Sequence, residues 1–542
     1  MFSIVRKTSL FFLLVLILFT NVINSQENGL FNCRLINAKD KTPLPYATIL
    51  IKNKAKGLIS NIDGGFKIPY ELQTLNDTLV ISSIGFATKE VSLSNFDKNI
   101  INIITLAEKT EILSEVVVVA SKKRRERKSA LEIFNLALDK IPENYQFTPY
   151  SYIGYYRDYQ IKEGDYLNLN EAIMEVFDPG FAAIDFNETQ TRIYQYKKNT
   201  TFPTDLIASR PYDFKKGEKT ISSSFNIRNQ NGNEFTILRA HDAIRNYSID
   251  TYDFVNRFDF NFVKNHQIKR LPDTSINNIA LYCIDIYKAI EHVVVKGKIY
   301  ISKGDFKIYK MQYAVYDSRK SNKSKKKQDT EEQNFGKLQY EIILEYQLKE
   351  DKMYLSYISF NNTFEVLQNP KFTTISTEVN YTKRFDPISN TYEIIFNSFE
   401  ITFNNILSQK NALKKSNYKL RYRDKKLKID SIKVNKDKVV LYLNKKLLLS
   451  SREMKSSNKN IENDIIIEIK KIKDINGNIV NHREYANYNQ YREFFVQELK
   501  LNSSKPVDPF FMLKNKPIFK NQPIAPFDNL SDYWLNTPLK SN

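Results

Sequence analysis

Cysteine is almost missing from this chain: there are two in 542 residues, Cys33 and Cys283. Two such distant cysteines build no disulfide framework. Neither has a second cysteine or a histidine at metal-ligand spacing, so no zinc site is implied. An oxidising compartment permits a bridge between them without requiring one. Histidine is as scarce, since His241, His266, His292 and His482 stand apart and none belongs to a His-x-x-Glu pair. No Gly-x-Ser-x-Gly elbow or phosphate loop is present either. The expectation is therefore a protein without catalytic machinery and without a cofactor. Paired carboxylates brought together from distant strands are the one enzymatic arrangement that a single sequence leaves open.

Long apolar runs are confined to the start. Arg6 and Lys7 precede an unbroken stretch from Leu10 to Phe19, followed by polar residues up to Ser25 and Gln26. That order is the pattern of a signal peptide, with cleavage expected between Ser25 and Gln26. The run is about half of what a bilayer-spanning helix takes, and Cys33 stands too far behind it to be an acylated cysteine. Acidic residues are in the minority, 61 against 81 Lys and Arg, for a formal charge of +20. Export and lysines scattered through strands argue against nucleic acid. Anionic lipid headgroups or acidic glycans suit such a surface, and solubility alone is the other reading.

With one Trp and 14 Gly against 33 Tyr and 36 Phe, the composition favours β-sheet. From Gly29 to Ala107 short strands alternate with turn signals: Cys33–Asn37, Ala47–Ile51, Phe66–Ile68, Thr78–Ser82, Ile84–Phe86 and Ile101–Leu106. In Asp63-Gly64-Gly65-Phe66 the glycines close a tight turn and Phe66 opens the next strand with its ring in the core. Asn61 and Asp63 are too few oxygens for calcium.

Three segments together resemble the carboxypeptidase regulatory-like domain: Leu44-Pro45-Tyr46-Ala47-Thr48-Ile49, the stretch from Gly57 to Phe66, and Asp77-Thr78-Leu79 with Ile81-Ser82-Ser83-Ile84-Gly85-Phe86. Cys33 departs from the family, which usually has glycine there in its first strand. The resemblance implies a transthyretin-like β-sandwich of about seven strands, common at the N-termini of Gram-negative envelope proteins, including receptors that depend on TonB. It implies no peptidase activity.

Leu113, Ser114, Glu115, Val116, Val117, Val118 and Val119 follow this region. They are similar to the TonB box, an extended apolar segment that adds a strand to its partner. An ordinary strand pairing within this chain is the alternative reading. Lys122 to Lys128 is a charge run, read as a solvated hinge or a contact with anionic lipid. Ser129 and Glu132 form a capping box for a helix whose apolar positions, Leu131, Ile133, Phe134, Ala137, Leu138 and Ile141, recur at helical spacing up to Pro142.

From Tyr150 to Phe403 the pattern is mostly strands. The clearest is a hairpin of Lys298–Ser302 and Phe306–Met311 about a Lys303-Gly304-Asp305 turn. The aromatic cluster of Tyr152 to Tyr159 reads as core, with Glu171 and Glu175 as surface charges or as partners of Arg157. The span Ile429–Ile472, ending in Asp474-Ile475-Asn476-Gly477-Asn478, looks like a bacterial Ig-like repeat. The proline-rich tail is expected to lie extended over other surfaces or to stay mobile, with Phe510, Phe511, Phe519 and Trp534 as tethers.

The expected fold is mainly β: an N-terminal seven-stranded transthyretin-like β-sandwich, then a large antiparallel β region with a short linking helix. The segments are 1–25 signal peptide, 26–108 sandwich, 109–128 TonB-box-like strand and basic linker, 129–405 helix plus large antiparallel domain, 406–500 Ig-like domain and 501–542 tail. The function expected is binding or scaffolding in the periplasm or outer membrane of a Gram-negative bacterium, toward an envelope protein or glycan. The other expectation is an integral outer-membrane β-barrel or a TonB-linked accessory. A full transporter barrel of about twenty-two strands exceeds the residues left over.

Overall fold

The computed structural model describes residues 29–54, 56–109, 128–210, 217–221, 233–249, 255, 257–320, 335–450, 461–501, 503, 505–507 and 510–539. The expected signal peptide lies outside these residues. So do the TonB-box-like positions Leu113, Glu115, Val116, Val117 and Val118, and the basic run as far as Arg127. Among the described residues no helix is long and apolar enough to cross a membrane. The chain is mainly β and forms two compact units. The larger draws on Met1–Tyr212, Thr220–Phe364 and Asn487–Asn542, the smaller on Asp213–Lys219 and Glu365–Ala486.

The larger unit opens with seven strands: β1 (Leu30–Asn37), β2 (Thr48–Ile51), β3 (Gly57–Ile59), β4 (Gly65–Pro69), β5 (Thr78–Ser82), β6 (Lys89–Ser92) and β7 (Ile101–Leu106). They pair as two sheets, β4-β1-β7 and β3-β2-β5-β6, around one apolar core. In β1 every second residue is buried, so Phe31, Cys33 and Leu35 face inward. Cys33 stands between Phe66 on β4 and Asn102 on β7, and its side chain fills the core at the position where the resemblance expects glycine. It is a free thiol, as is Cys283, and burial pushes its pKa up.

The Asp63–Gly65 turn forms as expected. Gly64 has φ +72°, and a Cβ there would come within 2.3 Å of the Leu35 carbonyl oxygen, so only glycine fits. The Ile84–Phe86 segment is not a strand: Gly85, at φ +85°, turns the chain, and one bridge joins Phe86 to Glu108. The strand next to it, β6, reads Lys-Glu-Val-Ser and is largely exposed, so no apolar alternation announced it.

Helix α1 (Ala130–Asp139) follows, with the expected box: Ser129 Oγ accepts from Glu132 N at 3.2 Å, and Glu132 Oε2 accepts from Ser129 N at 2.7 Å. Then come β8 (Tyr150–Lys162), β9 (Asp165–Asp178), β10 (Gln190–Lys198) and β11 (Lys219–Ile221). After the short helices α2 (Glu234–Ala240) and α3 (Phe260–Asn265) the strands resume. They are β12 (Gln267–Ile276), β13 (Ile279–Ile290), β14 (Val293–Ser302), β15 (Ile308–Asp317), β16 (Lys337–Lys349) and β17 (Lys352–Leu367). The smaller unit supplies β18 (Thr374–Asp386), β19 (Thr391–Phe403), β20 (Tyr418–Tyr422), β21 (Lys425–Leu427), β22 (Ile429–Asn435), β23 (Lys438–Ser450) and β24 (Ile465–Ile469). Last is β25 (Tyr485–Lys500).

One large sheet holds the first group in the order β10-β9-β8-β25-β17-β16-β15-β14-β13-β12, with β11 beside β17. Its ends are β10 and β12, so the described order is open. Both faces are covered from β10 to β16, while β12 and β14 leave Lys269 and Lys298 exposed. Ile133, Phe134, Phe235, Leu238 and Phe262 from the helices pack on one face, against Tyr152 and Tyr156. On the other, Tyr155, Tyr194, Tyr357 and Phe495 meet Tyr46 and Ile59 of the sandwich and Ala525, Phe527 and Tyr533 of the tail. That is why β8 is buried from Tyr150 through Gln160 without alternation.

In the smaller unit the sheets β18-β19-β23-β22 and β21-β20-β24 enclose Phe396, Phe399, Tyr422 and Leu441. Pairing of β19 with β23, from Thr391 opposite Ser450 to Thr402 opposite Lys438, crosses the boundary placed at 405 by sequence. The turn at Asp474 forms, with Gly477 at φ +87° and the Asp474 carboxylate accepting from Asn478 N and Nδ2.

Candidate functional site

On β8 the odd-numbered residues from Ile153 to Tyr159 share the sheet face away from the helices. Arg157 is fully buried there. Its Nε lies 2.5 Å from Glu493 Oε2 on β25, and Glu493 Oε1 accepts from Tyr357 OH on β17 at 2.7 Å. The guanidinium carbon sits 5.4 Å from the ring centres of both Tyr159 and Phe495. Burial works to discharge Arg157 and is the largest single influence on it, but Glu493, Tyr159 and Tyr155 together outweigh this and hold the guanidinium charged.

Arg157 also joins three parts of the chain. Nη1 donates to Asn61 Oδ1 in the sandwich turn at 2.6 Å and to the Asn536 carbonyl in the tail at 3.1 Å. Asn536 in turn donates to Ile59 O and accepts from Lys67 N, each at 3.0 Å. Trp534 Nε1 donates to Lys67 O at 3.0 Å, and the Trp534 carbonyl accepts from Gln497 Nε2 at 2.9 Å. Farther along, the tail runs beside the edge strand β10: Met512 N donates to Thr191 O and Ala525 N to Ile193 O. Phe527 stacks on Tyr194 with ring centres 4.1 Å apart.

These contacts correct two expectations. Glu171 and Glu175 are not surface charges but are 0% and 4% exposed. Nor are they the hydrogen-bonded partners of Arg157. Glu171 accepts from Tyr155 OH, Asn199 Nδ2 and Thr537 Oγ1, and Glu175 from Ser151 Oγ and Tyr194 OH. The partner of Arg157 comes from Glu493, more than three hundred positions along the chain. Tail tethering is realised through Trp534 and Phe511, which packs on Phe177 and Arg192, while Phe510 and Phe519 stay more than a third exposed.

Beside this knot lies an open groove of about 940 Å³ between the sandwich, β10 and the tail. Lys54, Lys56, Lys67 and Lys197 line it together with the acidic Glu71, Glu498 and Asp532. Lys54 pairs with Asp77 at 2.6 Å, and Lys56 lies 3.5 Å from Asp532 and over the Tyr533 ring at 5.0 Å. Lys197 is exposed on β10.

The helix-covered face carries further buried charges. Asp178 binds Arg239 and Arg245, each at 3.0 Å, and Arg239 also binds Asp185. Arg492 pairs with Glu234 and donates to Asn362 Oδ1 at 2.7 Å. Burial pushes Asp158 up to about 7 and Asp242 up to about 6. His266 is buried against Tyr313 OH at 2.8 Å, and desolvation lowers it to about 4. Among the described residues no group of three or more His, Cys, Asp or Glu is placed to hold a metal ion.

Residues 34–118 match the family model of the CarboxypepD_reg-like domain, which identifies the N-terminal sandwich. Curated proteins give no match to the chain. Among solved structures, a LolA superfamily protein from Nitrosomonas europaea aligns with 11% identity over 44% of this chain and 86% of that chain, with a TM-score of 0.19.

Proposed function

We propose that this is an exported protein of the Gram-negative cell envelope that acts by binding or scaffolding, with its CarboxypepD_reg-like domain as one wall of the binding groove. The carrying observation is that domain, large sheet and tail are locked together by Arg157 and Asn536 and share one groove lined by four lysines and three acidic side chains. Of the buried carboxylates beside it, Glu493 holds Arg157, and Glu171 and Glu175 accept from neighbouring side chains of the sheet and tail, an arrangement in keeping with a structural role. Lys197, exposed on β10, and the chain's formal charge of +20 suit an acidic partner, either an envelope protein or a glycan, or anionic lipid headgroups, while Lys54 and Lys56 are paired with Asp77 and Asp532.

The open order of the large sheet and the cover on both faces from β10 to β16 favour a peripheral protein over an integral barrel, whose outward side chains would face lipid. The test is alkaline carbonate extraction of outer membranes from cells carrying the tagged chain, beside a known barrel and a known periplasmic protein. Release into the supernatant is expected. Retention with the barrel control overturns the peripheral reading, and recovery with cytoplasmic markers overturns export.

A further inference from the structure

The smaller unit is a β-sandwich that is open along one side. Strand β18 ends its sheet, β24 ends the facing one, and among the described residues no strand pairs with the outer edge of β18. Between them is a groove of about 340 Å³, half of its lining from Val379, Ile465, Ile467 and Ile469 and half from polar side chains, Glu462 and Asn481 among them. The four apolar side chains are only partly buried against the core behind them. A thirteen-residue edge with unpaired backbone groups, and a groove at its back where three isoleucines lie partly exposed, is a template for another strand.

The identity of that strand follows from β18 itself. Residues 376–386 pair with β19 with no residue of β18 skipped, so their alternation is unbroken. Thr377, Val379, Tyr381, Lys383 and Phe385 fall on the inner face, where Val379 and Tyr381 pack on the core. Glu378, Asn380, Thr382 and Arg384 are exposed on the outer face. The stretch is self-complementary when laid antiparallel on itself about Tyr381. Glu378 then stands opposite Arg384 of the second copy, and Arg384 opposite its Glu378. Thr382 meets Asn380, and the two Tyr381 side chains meet at the centre, over the isoleucine groove. Moving the centre to Thr382 would set Glu378 against Asp386, and moving it by half a step would turn the apolar face outward. Within one chain Glu378 faces a like charge, Glu400, which Lys438 neutralises at 2.5 Å. Lys438 also feels the charge of Glu378, and within the chain Arg384 stands opposite Glu393, so Arg384 of a second copy adds a further cation beside each Glu378.

We infer that the chain forms a symmetric dimer by antiparallel pairing of β18 with β18 of a second copy, each closing the open side of the other. A two-fold interface of this kind uses one patch twice and leaves no edge to propagate. The inference does not depend on the cellular location of the protein.

Sedimentation equilibrium of the full chain tests it. A dimer is expected, with Glu378→Arg weakening it by about tenfold or more in Kd and the double variant Glu378→Arg/Arg384→Glu restoring it. Glu378→Arg relieves the repulsion with Glu400, so lost dimer is not lost fold. Register is read by mixing two single variants, Asn380→Cys and Thr382→Cys. Directly opposed Cα atoms lie about 5 Å apart, within disulfide reach, so the mixture links on mild oxidation and neither variant links to itself. The native thiols Cys33 and Cys283 are buried. A monomer at every concentration overturns the inference, as does a dimer indifferent to Glu378→Arg or a cross-link in another register. A monomer whose β18 edge is instead occupied by a strand of a different protein overturns the choice of partner.

Discussion

Arg157 and Glu493 are both 0% exposed, and such a pair is worth little against apolar side chains of the same size but is costly to break on one side only. Arg157→Met should destabilise the larger unit by about 3 to 5 kcal/mol in chemical denaturation, and Arg157→Met/Glu493→Met should recover most of that loss. Asp158 gives a pH signature. Its folded pKa of about 7 lies above the unfolded value of about 3.9, so folding takes up a proton between the two. The contribution of this group to stability is fully present below pH 4 and is lost as pH rises through 7. Asp158→Asn should therefore stabilise the chain at pH 8, by on the order of 2 kcal/mol, with the gap closing toward pH 4. Melting temperatures across that range measure it. A gap independent of pH would show that Asp158 is ionised in the fold at all these values.

Elements that carry their own signal were legible. The box of Ser129 and Glu132 needs only two residues three apart, and α1 begins where they place it. The hairpin of β14 and β15 was read from alternation about its turn; the structure extends β14 back to Val293 and β15 on to Asp317, but places Phe306, at φ +58°, in the turn and not in the strand. What lies far apart was not legible: nothing local to Tyr485–Lys500 says that it inserts between β8 and β17, because strand order is decided by partners from other parts of the chain. The tail is the sharpest case. Its prolines announce extended chain, and Asn536, the residue that fixes it, looks like any loop asparagine. Asn536→Ala leaves Ile59 O and Lys67 N without their side-chain partner, at a cost of about 1 to 3 kcal/mol. Hydrogen exchange should rise in Gly57–Ile59, Gly65–Pro69 and the tail, and unchanged exchange there would show that the tail is held elsewhere.

At the scale of the molecule, the two units have separate cores, one built on the large sheet and one on Phe396, Phe399 and Leu441. Arg157→Met should accordingly raise exchange in β8, β25 and the N-terminal sandwich and leave β19 and β23 unchanged, since stability is lost within a cooperative unit. Equal loss in both would show that they unfold as one. The sequence by itself determined the β character, through its Tyr and Phe content and strand alternation. It also determined the CarboxypepD_reg-like domain, through turn and strand motifs that lie within eighty-five matched residues. Those are local properties: they depend on backbone preference and on the spacing of side chains along one strand. Only the tertiary structure decided that Arg157 pairs with Glu493, that the tail locks the sandwich to the sheet, and that β18 is left with an open edge. Each of these depends on which distant segments meet, and a charge, an asparagine or an alternating strand reads the same in sequence whether its partner is in water or in the core.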